Sequence, residues 1–288
     1  MSTTTPIKIH YATLLFILIS VFFIPLSIST ASEADDPIFQ QDSLSDEANI
    51  KSNNHYAFNQ CRSLQAKPFD KKSKKKKLII IGDSQGCDFL NGMVENGYLK
   101  NYQIQFRFIP YACQRVPNES VSQYISTKHQ NFCLKTKRID SLKKVKQQVN
   151  EADVVIFSAL WKPAVANKLP KIFHYLAIKQ QQRLVVIGYK FFGKMTIDKY
   201  TKLSNHERRL VRNDVGGKSL KINAILTKSL NKRVIFVNPH QLVCGDGTSC
   251  PVFTNDLKLI SYDGRHLTKA GARYIGRIIF KNTTLGSI

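Results

Sequence analysis

The chain has no CxxC pair and no HxxxH spacing, so it does not encode a zinc site of the common kinds. The turn after its first strand-like run, near residue 82, lacks both a G-x-G-x-x-G run and a P-loop lysine. That counts against a nucleotide-binding domain. No segment repeats another. After residue 28 no apolar run is long enough to cross a bilayer. Acids are scarce, with 20 Asp and Glu against 43 Lys and Arg for a formal charge of +23.

What is present begins with an apolar run from Tyr11 to Ile28, preceded by Lys8 and His10 and followed by Ser29-Thr30-Ala31-Ser32. Such a run reads as a secretory signal with a cleavage point near Ala31, or as a retained anchor interrupted by Pro25. Residues 1–31 are therefore expected to be a signal peptide or membrane anchor. Either outcome exports the rest, to a periplasmic or other extracytoplasmic location.

Export gives the six cysteines a meaning, since an even number in an oxidising compartment points to disulfides rather than metal ligands. Cys244 and Cys250 enclose a turn-rich Gly-Asp-Gly-Thr-Ser loop that can bring them together, and Cys113 with Cys133 can clip a second loop. Cys61 and Cys87 pair only by elimination. No metal and no cofactor is expected.

The charge is unevenly spread. Residues 1–50 hold one Lys or Arg and six acids, whereas residues 51–288 hold 42 basic residues against 14 acidic, a net +28. Such a surface favours anionic partners: acidic polysaccharide, phospholipid headgroups or nucleic acid. For an exported chain the first two fit better, so no nucleic-acid partner is expected; simple solubility is the plain alternative. The run Lys71-Lys72-Ser73-Lys74-Lys75-Lys76-Lys77 reads as a solvated approach to the first strand, with contact to a membrane surface as the other reading.

Residues 32–60 are polar and acidic, without helical or strand period, and read as a linker. From residue 61 the pattern alternates between strand and helix. Continuous β-branched runs at 78–82, 104–109, 153–158, 184–188 and 233–237 suggest strands buried on both faces. Helix-like stretches lie between and after them at 88–97, 139–150, 164–181, 197–212, 219–231 and 268–280. The fold expected is α/β: a three-layer sandwich around a mostly parallel five-stranded sheet of flavodoxin-like kind, in one domain over 61–288.

In such sheets the working site lies beyond the carboxyl ends of the strands. Gly82-Asp83-Ser84 falls directly after the first strand. Asp263-Gly264-Arg265-His266 follows a weak strand-like run, Lys258 to Tyr262, and precedes the last helix. A serine, an imidazole and a carboxylate are the three parts of an activated nucleophile. The plain reading of Gly-Asp-Ser alone is a strand-to-helix turn with Asp83 or Ser84 as N-cap.

Both segments resemble the terminal sequence blocks of the SGNH (GDSL-type) hydrolase superfamily. The last block, Asp-x-x-His before a small-residue helix start, continues here as Leu267-Thr268-Lys269-Ala270-Gly271-Ala272. Ser158-Ala159-Leu160-Trp161 looks like the Ser-Ala-Arg-Trp segment of SGNH domains appended to family-three acyltransferases, and Cys244…Cys250 is also similar to that subgroup.

The resemblance implies Ser84 as nucleophile, His266 as general base and Asp263 as its orienting acid. It also implies an acyl donor and a glycan acceptor, which the basic surface favours as anionic, with the acyl group supplied by a separate multi-span membrane acyltransferase or a soluble donor. Where the superfamily has an oxyanion-binding asparagine this chain has Trp161, read as a packing or substrate-platform residue. The second-block donor falls to the Ala112 N–H. The function expected is O-acyl (acetyl) transfer to an envelope or secreted glycan. The alternatives are a carbohydrate esterase of the same fold and a catalytically weak glycan-binding or scaffold protein.

Overall fold

The computed structural model describes residues 43–288, so the signal or anchor expected over 1–31 lies outside the described residues. Five strands form one sheet: β1 (Lys76–Gly82), β2 (Tyr102–Phe108), β3 (Val154–Ser158), β4 (Arg183–Ile187) and β6 (Ile235–Val237). Their order is β2-β1-β3-β4-β6 and every pairing is parallel. Two further strands, β5 (Arg212–Asp214) and β7 (Ser249–Pro251), make a small antiparallel ribbon. The five apolar runs of the sequence are the five strands of the main sheet.

β1 shows why. Leu78, Ile79, Ile80 and Ile81 are all buried, Ile79 and Ile81 on one face and Leu78 and Ile80 on the other. Each such side chain contributes about 1.5–3 kcal/mol when removed from water. The main helices are α1 (Ile50–Leu64), α2 (Ser84–Glu95), α3 (Thr127–Lys135), α4 (Leu142–Glu151), α5 (Leu169–Leu176), α6 (Lys218–Ser229), α7 (Pro239–Cys244) and α8 (Lys269–Asn282). α4, α5 and α6 cover one face through Val145, Val149, Leu169, Ile172 and Ile222. α1, α2 and α8 cover the other through Cys61, Leu90, Met93, Ile275 and Ile279. The result is the three-layer α/β sandwich expected, with a wholly parallel sheet.

Four local readings change, the first being 197–212, read as one helix, which is two short helices, Ile197–Tyr200 and Asn205–Leu210, that run into β5. Residues 43–60, read as part of a linker, are largely helical and belong to the compact body. Leu44 is buried, and α1 starts at an Asn49 N-cap whose side chain accepts the Ser52 N–H. The buried face of α1 is Asn53, Ala57 and Cys61, a helical i, i+4, i+8 stripe of small or polar residues that carries little hydrophobic signal. The stretch 164–181 is two helices, because Pro170 starts α5 after Pro163–Ala166 has ended. Lys258 to Tyr262 forms no strand; it makes only the isolated bridges Phe253↔Leu259 and Ser261↔Leu267.

All three disulfides pair as read: Cys61–Cys87, Cys113–Cys133 and Cys244–Cys250. Three bridges mark a protein of an oxidising, extracytoplasmic compartment. Among the described residues no helix is long and apolar enough to cross a membrane.

Candidate active site

The site is built where β1 ends. Gly82 pairs with Ser158 so closely that a Cβ there would lie 1.8 Å from the Ser158 carbonyl oxygen, so no other residue fits. The chain then turns straight into α2, with Asp83 as N-cap and Ser84 as the first helical residue. Asp83 engages the first turn heavily. Its Oδ1 accepts the Gln85 N–H at 3.0 Å, and its carbonyl accepts those of Gly86 and Cys87. The Ser84 N–H stands outside that set, at the positive end of a helix dipole.

Asp83 does more than cap. Both its oxygens take the Leu160 N–H, at 2.9 and 3.1 Å, and the Gln114 side-chain amide donates to its Oδ2 at 3.4 Å. One buried carboxylate thus joins the serine turn to the segments after β2 and β3. Burial pushes its carboxyl up to about 6, against the pull of those N–H groups and of the Lys190 and His266 charges. Sequence reasoning saw Asp83 only as a cap, since its other partners are distant in the chain.

The second half is a turn that organises itself. Asp263 Oδ2 meets His266 Nδ1 at 2.6 Å, and Asp263 Oδ1 accepts the N–H groups of Arg265 and His266 at 2.8 and 2.7 Å. Ser261 Oγ donates to the His266 carbonyl and accepts the Gly264 N–H, closing the turn from the other side. Gly264 has φ +85°, and a Cβ there would lie 1.9 Å from the Gly193 carbonyl oxygen. Burial would raise the Asp263 carboxyl, but the His266 side chain and the two N–H donors outweigh it and hold it at about 2. The imidazole has the Phe58 and Tyr262 rings beside it, with centroids 5.7 and 5.9 Å away.

The structure thus brings Asp263 and His266 into contact and sets Ser84 at the same edge of the sheet. Among the described residues Ser84 and His266 share no hydrogen bond; their neighbours connect the two halves. Asp88, one turn along α2 from Ser84, accepts the Leu267 N–H at 3.2 Å. His266 is near enough to Asp83 for its charge to act on that carboxylate. The His266 and Asp263 side chains are 18% and 34% exposed, so solvent reaches both.

The residues read as oxyanion or substrate groups differ. Ala112 lies in a one-turn 3₁₀ helix, Tyr111–Cys113, whose later donors, Cys113 N–H and Gln114 N–H, bond to Pro110 and Tyr111 carbonyls. Lys162 holds this segment by donating to the Ala112 and Gln114 carbonyls. Trp161 is 3% exposed and gives its indole N–H to the Ile187 carbonyl at 2.9 Å. That N–H is therefore committed, and Trp161 packs into the core, which is the packing role read for it.

Among the described residues one group has metal-ligand spacing: His240, Cys244 and Cys250. The two sulfurs are joined as a disulfide and offer no thiolate, and His240 Nε2 bonds the Gly247 carbonyl at 2.9 Å. The group is a disulfide with a histidine packed on it.

No curated protein matches the chain. The model of one family does, over residues 50–281, and its start coincides with the first residue of α1. That span takes in the whole sheet and both halves of the site, so the chain belongs to the SGNH domain family, described as fused to AT3 domains, whose fold is that of esterases and acyl-transferring enzymes.

Proposed function

We propose that this is an exported SGNH-fold serine enzyme that transfers an acyl group, by our reading acetyl, to a hydroxyl of an envelope or secreted glycan. The observation that carries it is the 2.6 Å contact between Asp263 and His266 Nδ1, which leaves Nε2 as the free nitrogen at the edge where Ser84 begins its helix.

In this reading His266 Nε2 takes the Ser84 Oγ proton as Oγ bonds to the acyl carbonyl carbon. The oxyanion accepts N–H bonds from Ser84 and Ala112, each donor worth about 10²–10³ in rate. His266 then gives the proton to the departing oxygen, the carbon–oxygen bond breaks, and Ser84 carries the acyl ester. A glycan hydroxyl then gives its proton to His266 as its oxygen bonds to the acyl carbon, the carbon–Oγ bond breaks, and His266 passes that proton to Ser84 Oγ, which returns the serine to its free form. Asp263 holds the Nδ1–H tautomer and stabilises the imidazolium.

A partly exposed histidine–aspartate pair and a basic chain both suit an anionic acceptor arriving from solvent. The family's fusion to AT3 domains supports an acyltransferase of that kind as the source of the acyl group, and the three disulfides support a periplasmic or other extracytoplasmic location. Water in place of the glycan would make the same site an esterase.

A serine-reactive phosphonate labels wild type and not Ser84→Ala if the reading holds. Absent labelling, with no turnover of p-nitrophenyl acetate, leaves a glycan-binding domain instead. Supplying an acetyl donor with candidate glycans separates the two reactions: acetylated sugar by mass spectrometry supports transfer, and free acetate alone supports hydrolysis.

A further inference from the structure

We propose that the buried Lys190–Asp88 ion pair is the positioning element that registers His266 against Ser84. This rests on the triad reading above. Lys190 follows β4 by three residues, and Asp88 lies on α2 one turn beyond Ser84. Their side chains are 7% and 0% exposed, and Lys190 Nζ meets Asp88 Oδ2 at 2.6 Å.

Each partner has a second bond, and both second bonds flank His266. Lys190 Nζ donates to the Arg265 carbonyl at 2.8 Å, and Asp88 Oδ1 accepts the Leu267 N–H at 3.2 Å. The backbone of Lys190 reaches the other half: the Gln85 side-chain amide donates to its carbonyl at 3.0 Å and accepts its N–H at 3.4 Å. Gln85 directly follows Ser84. The residue after the serine and the residues on each side of the histidine are therefore all bonded to Lys190 or Asp88.

Stability is a poor reason for such a pair. Two buried charges lose their hydration, and apolar residues of similar volume often serve folding as well or better. What the pair supplies is fixed geometry between two segments from opposite ends of the domain. A displacement of about 1 Å between reacting groups can cost roughly 10²-fold in rate.

The test uses Lys190→Met, Asp88→Asn and the neutral double variant, each assayed about 20 °C below its own melting temperature. Lys190→Met strands a buried carboxylate and can fail to fold, whereas Asp88→Asn keeps shape and the double variant keeps neutrality. In each folded variant kcat for p-nitrophenyl acetate falls about 10- to 100-fold with KM within about twofold. Hydrogen exchange in the 262–268 peptide quickens by tenfold or more, and phosphonate labelling of Ser84 slows with kcat.

Unchanged kcat in folded variants overturns the proposal, whatever the exchange shows, because a purely structural pair would affect melting alone. Unchanged exchange at 262–268 also overturns it. If wild type itself takes no label at Ser84, the serine reading falls first. The exchange arm then still decides whether the pair holds the His266 turn: quickened exchange supports the joint and unchanged exchange removes it.

Discussion

Ser84 and His266 occupy the same edge of the sheet on supports of opposite kinds. Around Ser84 the backbone is bound into the core: Gly82 against Ser158, Asp83 into Leu160 and Gln114, and the buried α2 behind. Around His266 the turn is held by its own side chains, Asp263 and Ser261, and two of its members remain partly exposed. The serine half thus draws its shape from the packing of the whole domain, and the histidine half draws it mainly from the six residues Ser261 to His266, braced at Arg265 and Leu267 by the Lys190–Asp88 pair. Damage should spread differently in the two.

The largest contrast is chemical. Ser84→Ala and His266→Ala are each expected to lower turnover of p-nitrophenyl acetate by about 10⁴-fold or more while melting temperature stays within a few degrees. An active Ser84→Ala enzyme would end the comparison, since the rigid half would then carry no chemistry.

Next come the two glycines. Gly82→Ala drives a methyl into the Ser158 carbonyl and should cost several kcal/mol, read as loss of soluble, cooperatively melting protein. Gly264→Ala meets the Gly193 carbonyl and a left-handed backbone, yet it should leave a cooperative melt and remove activity by 10²-fold or more. Equal destabilisation by both would erase the distinction between the halves.

The two carboxylates sharpen it further, because their shifts run in opposite directions. Asp83, raised to about 6, stabilises the fold below its ordinary range near pH 4 and loses that contribution as pH rises through 6. Asp263, held at about 2, contributes above pH 4 and loses its contribution as pH falls towards 2. Asp83→Asn should therefore gain on wild type by about 1–3 kcal/mol between pH 4 and pH 7, measured by chemical denaturation. Asp263→Asn should lose its deficit as pH falls from 4 to 2. A pH-independent Asp83→Asn difference would show that burial does not govern that group.

The smallest effect expected is that of Phe58→Ala. It removes one of two rings beside the imidazole and should change kcat by a few-fold without moving Tm by more than a few degrees.

The same contrast explains what the sequence disclosed. The Asp263–His266 pair is readable because three-residue spacing is local, and Gly-Asp-Ser is readable because it follows a run of β-branched residues buried on both faces. The links of Asp83 to Leu160 and Gln114, and of Lys190 to Asp88, join segments that meet only after folding. α1 escaped notice because Asn53, Ala57 and Cys61 make a face whose burial depends on a close fit and a disulfide rather than on large apolar groups. The choice between packing and platform for Trp161 is not readable in sequence, because a tryptophan beside the strand ends looks the same whether its N–H meets a ligand or the Ile187 carbonyl.

The sheet order β2-β1-β3-β4-β6 also has a consequence in time. β1, made early, becomes a central strand, and the helix after it presents the candidate nucleophile long before the chain reaches residue 266. A chain exported from its N-terminus would deliver the serine first and its base last. A stalled or truncated chain would then hold a serine with nothing to activate it, so the order of delivery itself would keep an incomplete molecule from attacking the ester bonds around it.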